Sequence, residues 1–297
     1  MSDEERSEEE REPVFQRILV ALDASPHSLA ALEAAVVLAT GVQAELVGLF
    51  VKDDNLLRLA GLPFARQQGL YSPEPRPLDE PQIERELRAR ARRAEQALAA
   101  LAAPAQVPWS FRVVRGAIAA ELLAAAAEAD LISLGRSGWS PTGRRRVGST
   151  TRAVLSQAPH PALVVRQGAH LKPPIMAVYD GSVLAGSALA TAARLAQGKE
   201  GELLVLVVAD DPAENERLQA QAGDWLRARA IPVRFRQLTE ATVSRLVQAL
   251  KTEGCGTLVL PAETALLRDE ALSILVEELD FPMLLIRQTR KHQRLSA

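Results

Sequence analysis

Two hydrophobic periodicities alternate along the chain and predict alternating strands and helices. Short continuous apolar runs are typical of parallel strands covered on both faces, and they predict strands near residues 17–22, 45–51, 110–114, 130–134 and 162–165. Between these runs, apolar residues recur every three or four positions, and the predicted helices are 26–40, 81–102, 117–129 and 149–157. Alternation at these lengths indicates an α/β fold with a doubly wound parallel sheet and right-handed crossovers.

The same pattern occurs twice. Residues 174–210 match residues 17–53 without a gap, at a constant offset of 157. The ends of the two copies also match, because FPMLLIR at 281–287 repeats HPALVVR at 160–166 with an offset of 121, so the second copy is 36 residues shorter. Self-similarity of this kind indicates two tandem copies of one domain, each expected to hold a five-stranded parallel sheet flanked by helices.

Breaks in the pattern predict the domain boundaries. Residues 53–80 are rich in proline and glycine and are expected to form a long irregular loop; a lid, an interaction surface and a disordered insertion all fit it. The expected units are a disordered acidic tail at 1–13, a first domain at 14–168, a second domain at 173–288 and a C-terminal tail at 289–297.

Composition narrows the class of protein. A chain of 297 residues, 47% of them hydrophobic, can bury two ordinary cores, and no apolar run approaches the ~18 residues of a membrane span. The net charge of −2 includes −5 on residues 1–12, so neither nucleic acid nor a membrane is an expected partner. The acidic N-terminus does not resemble a secretory signal. The single cysteine, Cys255, fits a buried thiol in the reducing cytoplasm, which is the expected location.

A glycine-rich segment carries the strongest chemical signal. The apolar run at 131–134 ends at Gly135, Gly138 follows, and Gly148 opens a predicted helix with three hydroxyl residues. Bare main-chain N–H groups, hydroxyl donors and the positive end of a helix dipole suit a phosphate. The segment is neither a Walker loop, a dinucleotide fingerprint nor a nucleophile elbow. A purely structural glycine turn is the alternative.

The full pattern resembles the nucleotide-binding motif of the universal stress protein family. G-x2-G-x9-G-[ST] follows a late strand, and an aspartate ends the first strand. The opening ILVALDASPHS is similar to the family's first strand and D-x-S turn, and HPALVVR is similar to its last strand. The resemblance covers both copies and implies two tandem Rossmann-like domains of the adenine-nucleotide α-hydrolase-like kind. It also implies that the first domain binds ATP (or AMP or ADP), with or without Mg²⁺.

The resemblance assigns ten residues to the nucleotide. Those implied to hold the phosphates and ribose, or to continue the hydroxyl-rich helix start, are Gly135, Gly138, Gly148, Ser149, Thr150 and Thr151. Those implied to surround the base are Ala21, Leu22 and Val51, the last through its main chain. Asp23 is implied to accept a hydrogen bond at the adenine or ribose, although capping of the helix near Pro26 is an alternative. Strand packing is the alternative for Val51.

The loop between the glycines offers further candidates. Arg144, Arg145 and Arg146 either neutralise polyphosphate charge or form a solvated basic loop. Trp139 either covers the loop or reaches another subunit.

The second copy departs from the motif. Pro261 and Thr264 replace the first two glycines, and the later glycine-serine pair is missing. Because proline lacks an N–H donor, this copy is not expected to bind a triphosphate. The resemblance implies that the two domains pair through residues 161–166 and 282–287, as a pseudo-dimer within one chain, and is compatible with a homodimer of the whole chain.

Three functional hypotheses follow. The first is a nucleotide-binding regulatory or stress-response protein without fast catalysis, the second a slow ATP hydrolase, and the third a nucleotide-independent scaffold. His27 and His160 are the only histidines of the first domain, and neither has the neighbours of a catalytic base or metal ligand. The first hypothesis is therefore favoured, and enzymatic activity stays open.

Overall fold

The computed structural model describes residues 15–62, 66–67, 76–77, 79–138, 147–197, 202–209, 211–239, 242–264 and 271–287. Within these ranges the chain builds one ten-stranded sheet with helices on both faces. The predicted α/β fold is thereby confirmed.

The first half contains five strands of the large sheet. They are β1 (Arg17–Ala21), β2 (Glu45–Asp53), β5 (Trp109–Gly116), β6 (Leu131–Gly135) and β7 (Ala162–Val165). The helices between them are α1 (Pro26–Val42), α3 (Glu80–Ala102), α4 (Ile118–Ala126) and α5 (Ser149–Gln157). These bounds follow the hydrophobic pattern of the sequence closely.

The described parts of residues 53–80 are more regular than expected. A helix, α2 (Asp54–Ala60), follows β2 directly, because the Asp53 side chain accepts a hydrogen bond from the Asn55 N–H at 3.0 Å and so caps its first turn. Two short strands, β3 (Arg66–Gln67) and β4 (Arg76–Pro77), pair antiparallel outside the large sheet. The prediction of a wholly irregular loop is therefore wrong for these parts.

The second half repeats the five-strand plan. Its strands are β8 (Ile175–Tyr179), β9 (Leu203–Val208), β10 (Val233–Leu238), β11 (Thr257–Pro261) and β12 (Met283–Ile286). Its helices are α6 (Val183–Ala196), α7 (Pro212–Arg227), α8 (Val243–Thr252) and α9 (Ala271–Glu278).

The strand order explains both the repeat and the position of the ligand crevice. The order is β10-β9-β8-β11-β12-β7-β6-β1-β2-β5, and all neighbours are parallel except β7 and β12. In the first half β1 lies between β2 and β6, so the winding reverses between β1 and β6. In open α/β sheets, ligands bind beyond the carboxyl ends of the strands at such a reversal.

The junction of the halves is antiparallel and pseudosymmetric. Leu163 faces Leu284, and these two residues are equivalent in the repeat. On either side, Val164 pairs with Met283 and Ala162 with Leu285, which again exchanges equivalent positions. A contact of this type is the self-complementary geometry of a two-fold dimer, formed here within one chain.

Two core layers cover the two faces of the sheet. In β1, Ile18 and Val20 belong to one layer and Leu19 to the other, as the alternation of a strand requires. Each layer contains buried residues from both halves, so the sheet and its cover continue across the junction. None of the helices in the described ranges is long and apolar enough to span a membrane.

Candidate functional site

A cavity of about 610 Å³ opens at the carboxyl ends of β1, β2 and β6. It lies where the winding of the first half reverses. The ten residues that the sequence assigned to a nucleotide all line it: Ala21, Leu22, Asp23, Val51, Gly135, Gly138, Gly148, Ser149, Thr150 and Thr151. Residues that are up to 130 positions apart in the chain thus meet in one crevice.

The turn after β1 places Asp23 at the cavity. Its Oδ1 accepts a hydrogen bond from the Ser25 N–H at 2.9 Å. The N-cap of α1 is Ser25, whose hydroxyl oxygen accepts from the Ser28 N–H at 3.2 Å. Asp23 therefore braces the turn without being the helix cap, and its carboxylate also borders the cavity.

Gly135 lets α1 approach the end of β6. A Cβ at this position would lie 2.8 Å from the carbonyl carbon of His27 and 2.9 Å from the amide nitrogen of Ser28. Both are main-chain atoms, which cannot rotate away. The first glycine of the motif is therefore required by helix packing.

Gly138 brings bare main chain next to the carboxylate of Asp23. A Cβ there would lie 2.9 Å from Asp23 Oδ2. The second glycine is thus needed at the cavity surface itself, where a side chain would crowd the only carboxylate of the β1 turn.

Gly148 lies at the cavity and at the start of α5. Its N–H donates to the carbonyl oxygen of Arg136 at 2.9 Å, so this amide closes the loop. Its backbone is extended, with φ −60° and ψ 145°, and it is the N-cap of α5 without a capping side chain. The next N–H groups, in the first turn of α5, have no partner within the helix and point toward its N-terminus, where the helix dipole favours an anion.

The three hydroxyls at the start of α5 are not equivalent. Thr151 is buried, and its Oγ1 donates to the carbonyl oxygen of Gly135 at 2.8 Å, which ties α5 to β6. Ser149 is exposed and Thr150 half-buried, and both line the cavity. These two are the hydroxyls that a ligand can reach.

The remaining walls combine apolar side chains with charge. Apolar lining residues include Leu49 of β2, Leu56 of α2, and Ile118 and Leu122 of α4. A slot of this composition fits a flat heterocycle.

Two charged lining residues, Asp53 and Arg90, were missed by sequence reasoning. Arg90 stands three positions after the buried Leu87 on α3, and Leu87 also lines the cavity. Because residues three apart share a helix face, this spacing was the available signal.

His27 lies behind the glycine segment. Its Nδ1 accepts a hydrogen bond from the Gln167 N–H at 3.0 Å. Burial lowers the pKa of the imidazole, the Arg136 and Arg166 guanidiniums lower it further, and Asp23 opposes them. A neutral, hydrogen-bonded imidazole here links α1 to the segment after β7.

No group of three or more metal-ligating side chains occurs in the described part of the chain. Any cation in the cavity would therefore depend on oxygen atoms of a ligand as well as on protein carboxylates.

The equivalent region of the second half is built differently. Pro261 ends β11 and pairs with Ile286, as Gly135 pairs with Val165. Tyr179, which is 4% exposed, replaces Leu22. The large side chain of Tyr179 and a proline without an N–H donor, Pro261, thus occupy the positions that border the cavity in the first half.

Several sequence predictions fall outside the described residues. They concern Trp139, the arginines at 144–146, and the tails at 1–13 and 289–297.

The fold and the site define a class of protein: a doubly wound α/β protein with a glycine segment and a helix N-terminus at the point where its sheet reverses. The universal stress protein family model matches residues 15–166, about half of the chain. The chain belongs to the universal stress protein family.

Known relatives agree with this assignment. A universal stress protein of Thermus aquaticus, encoded in the 3′ region of a sulfhydrylase gene, is 33% identical over 156 residues, which are 52% of this chain and all of that protein. The structure of a universal stress protein from Archaeoglobus fulgidus covers 92% of this chain and 98% of its own, with a TM-score of 0.69 and 17% identity. A structure from Pseudomonas aeruginosa covers 93% and 94%, with a TM-score of 0.58 and 14% identity. These structural matches span both halves and support the tandem fold.

Proposed function

We propose that the first half binds an adenine nucleotide (ATP, or AMP or ADP) and that the protein is regulatory or acts in a stress response, without fast catalysis. One observation carries this proposal: the glycine segment, the first turn of α5 and the Asp23 turn converge on a single cavity of about 610 Å³. Its volume lies within the usual range for small-molecule sites.

The cavity offers a distinct partner for each part of the ligand. The amides and hydroxyls of Ser149 and Thr150 face the phosphates, assisted by the dipole of α5. The Asp23 carboxylate accepts from a ribose hydroxyl, and the main chain of Val51 reads the adenine edge. The apolar side chains of Ile118 and Leu122 pack against the base. If Mg²⁺ accompanies the phosphates, the carboxylates of Asp23 and Asp53 are the oxygen ligands within the cavity lining.

In this proposal the second half pairs with the first half and has no phosphate site of its own. The antiparallel register of β7 and β12 supports a permanent intrachain pair. We further propose that the protein is cytoplasmic and binds one nucleotide per chain. A homodimer of the tandem chain is tested by sedimentation velocity.

Gly148→Val tests nucleotide binding directly. The new Cβ would lie 3.3 Å from Ser137 Cα, and the branched side chain would crowd the entrance to the first turn of α5. Titration calorimetry with Mg-ATP is expected to show one site per chain in the wild type and a loss of about 100-fold or more in the variant, or about 3 kcal/mol.

Gly41→Val is the matched control, because a Cβ at Gly41 in α1 meets no atom within 4 Å. It should bind like the wild type. If Gly148→Val keeps both the Mg-ATP affinity and the urea midpoint of the wild type, the proposed phosphate site at the start of α5 is rejected.

The hydrolase and scaffold hypotheses are separated by two further measurements. ATP that stays intact through hours of incubation with the protein and Mg²⁺ argues against the hydrolase. Absence of bound nucleotide at millimolar ATP would establish the scaffold and reject the proposal.

A further inference from the structure

We propose that the second half positions the glycine segment of the first half through Asp280, so that nucleotide affinity depends on a carboxylate of the domain that lacks the motif. This inference rests on the proposed function and names a regulatory contact of the same site. The group through which Asp280 acts is Arg136, the residue between Gly135 and Ser137.

Arg136 crosses the junction between the halves. Its side chain is 6% exposed, and its Nη1 lies 3.4 Å from the carbonyl oxygen of Leu279 and 3.6 Å from Asp280 Oδ1. Arg166 reaches the same carboxylate, with its Nη1 2.8 Å from Asp280 Oδ1. One carboxylate of the second half thus serves two guanidinium groups of the first.

The main chain of Arg136 makes two hydrogen bonds that position the glycine segment. Its N–H donates to the carbonyl oxygen of Val165 at 2.8 Å, which holds the segment to the end of β7. Its carbonyl oxygen accepts the N–H of Gly148 at 2.9 Å, which sets the start of α5. A displacement of Arg136 would therefore move the first turn of α5 relative to Asp23.

Burial makes the contact with Asp280 consequential. A buried cation without its counter-charge is costly, and it relaxes by moving toward water or another partner. Arg136 and Arg166 share the Asp280 carboxylate, and both also lower the pKa of His27, so removal of that carboxylate takes away a negative charge that both guanidinium groups contact and leaves their mutual repulsion. Any movement of Arg136 displaces the glycine segment, because Arg136 is part of that segment.

The repeat-equivalent contact, from the second half to the first, is built from other groups. Ala262 of the second half makes the same main-chain hydrogen bond as Arg136, to Ile286 at 2.8 Å, but has no charged side chain. Across the junction, Arg287, the repeat equivalent of Arg166, donates to the carbonyl oxygens of Leu155 and Ala158. Among the described residues, a cross-junction ion pair therefore reaches the segment after the fourth strand only in the half that carries the glycine motif.

Thermodynamic linkage makes the effect reciprocal. If Asp280 strengthens nucleotide binding, bound nucleotide strengthens the contact across the junction by the same factor. Occupancy of one half is in this way transmitted to the other.

The experiment compares three full-length variants with the wild type. Asp280→Asn removes the charge at constant shape, and Asp280→Glu displaces the carboxylate by one methylene. Glu277→Gln is the matched control, because Glu277 also makes a cross-junction ion pair, with Arg152 at 3.5 Å, but does not contact the glycine segment. Mg-ATP affinity is measured by titration calorimetry, and amide hydrogen exchange is measured without nucleotide.

For Asp280→Asn we expect about tenfold weaker binding, within the usual range of coupling between sites, with a smaller loss for Asp280→Glu and wild-type affinity for Glu277→Gln. The amide of Gly148 should exchange faster in Asp280→Asn, and to a smaller extent in Asp280→Glu, than in the wild type and Glu277→Gln. Urea midpoints verify that each variant is folded, and the graded Asp280→Glu variant serves if Asp280→Asn is not. Unchanged affinity and unchanged exchange would overturn the inference. If the wild type itself binds no Mg-ATP, the proposed function fails, and the exchange of Gly148 still decides whether Asp280 positions the segment.

Discussion

The three glycines of the motif differ in what makes each of them necessary. Gly135 is constrained by the main chain of α1 and Gly138 by the carboxylate of Asp23, whereas a Cβ at Gly148 would lie 3.3 Å from Ser137 Cα. The sequence located all three, because glycine at a strand end and at a helix start is visible in one dimension. It did not show that the Gly148 amide is used by Arg136, since that hydrogen bond depends on where β7 anchors the segment.

Gly135→Ala should destabilise the protein more than any other alanine substitution in the segment. The added methyl group would meet main-chain atoms at 2.8 and 2.9 Å, so α1 or β6 must move, and overpacking of this kind costs about 1–3 kcal/mol. Urea unfolding measures the change. Gly148→Ala is the comparison, because its nearest contact is 3.3 Å, and a loss as large as that of Gly135→Ala would contradict the assignment.

His27 should make stability depend on pH. Its folded-state pKa is lowered from the ordinary value, chiefly by burial. Below about pH 6.5 the unfolded chain therefore binds the proton more readily than the folded chain. The free energy of unfolding should fall as the pH decreases from 6.5 through the folded-state pKa, and recover as the pH rises. Urea midpoints of the wild type and His27→Gln across this window isolate the effect, since the other histidines are common to both. Parallel curves would refute it.

At the scale of elements, regular strands and long helices were predictable and the insertion was not. The strands inside the sheet are mainly continuous apolar runs, and α3 shows apolar residues at three- and four-residue steps, so both patterns are visible without tertiary information. The edge strands β5 and β10 also carry arginines and follow the pattern less closely. Prolines and glycines in 61–77 masked the regular parts of the region after β2. The short helix α2 had its own signal in Asp53 followed by Leu56, Leu57 and Ala60, which was overlooked. Arg90 follows the buried Leu87 by three positions, and the packing of α3 places both residues at the cavity.

The tie between α5 and β6 can be tested with Thr151→Val. The substitution removes the hydroxyl that donates to the Gly135 carbonyl and leaves a buried acceptor without that partner. A loss of about 1–2 kcal/mol in urea unfolding is expected, together with weaker nucleotide binding. Thr150→Val, at the neighbouring half-buried position, should affect affinity with little effect on stability. The opposite ranking of the two variants would be inconsistent with this hydrogen bond.

At the scale of the whole molecule, the continuous sheet predicts cooperative unfolding. The two core layers cross the junction, and Leu163 and Leu284 at its centre are 0% and 1% exposed. Leu284→Ala should therefore lower the stability of both halves, by about 2–5 kcal/mol.

Tryptophan fluorescence can report on each half. Each half needs its own single-tryptophan protein: Trp139→Phe with Trp225→Phe leaves Trp109 of β5 in the first half, and Trp109→Phe with Trp139→Phe leaves Trp225 of α7 in the second. Both signals are expected to change at one urea midpoint, which moves downward in Leu284→Ala. Two separated transitions would show that the halves fold independently.

If the first half binds a nucleotide as proposed, the fusion of the two halves also determines the shape of the binding curve. Separate identical subunits joined by such a junction would present a pair of equal pockets, and occupancy of one can then influence the other. Here the junction joins a half with the motif to a half without it, so the proposed function gives one nucleotide site per chain. Nucleotide binding should follow a simple hyperbola and saturate over about two decades of ligand concentration. The half without the motif then adjusts the concentration at which binding occurs.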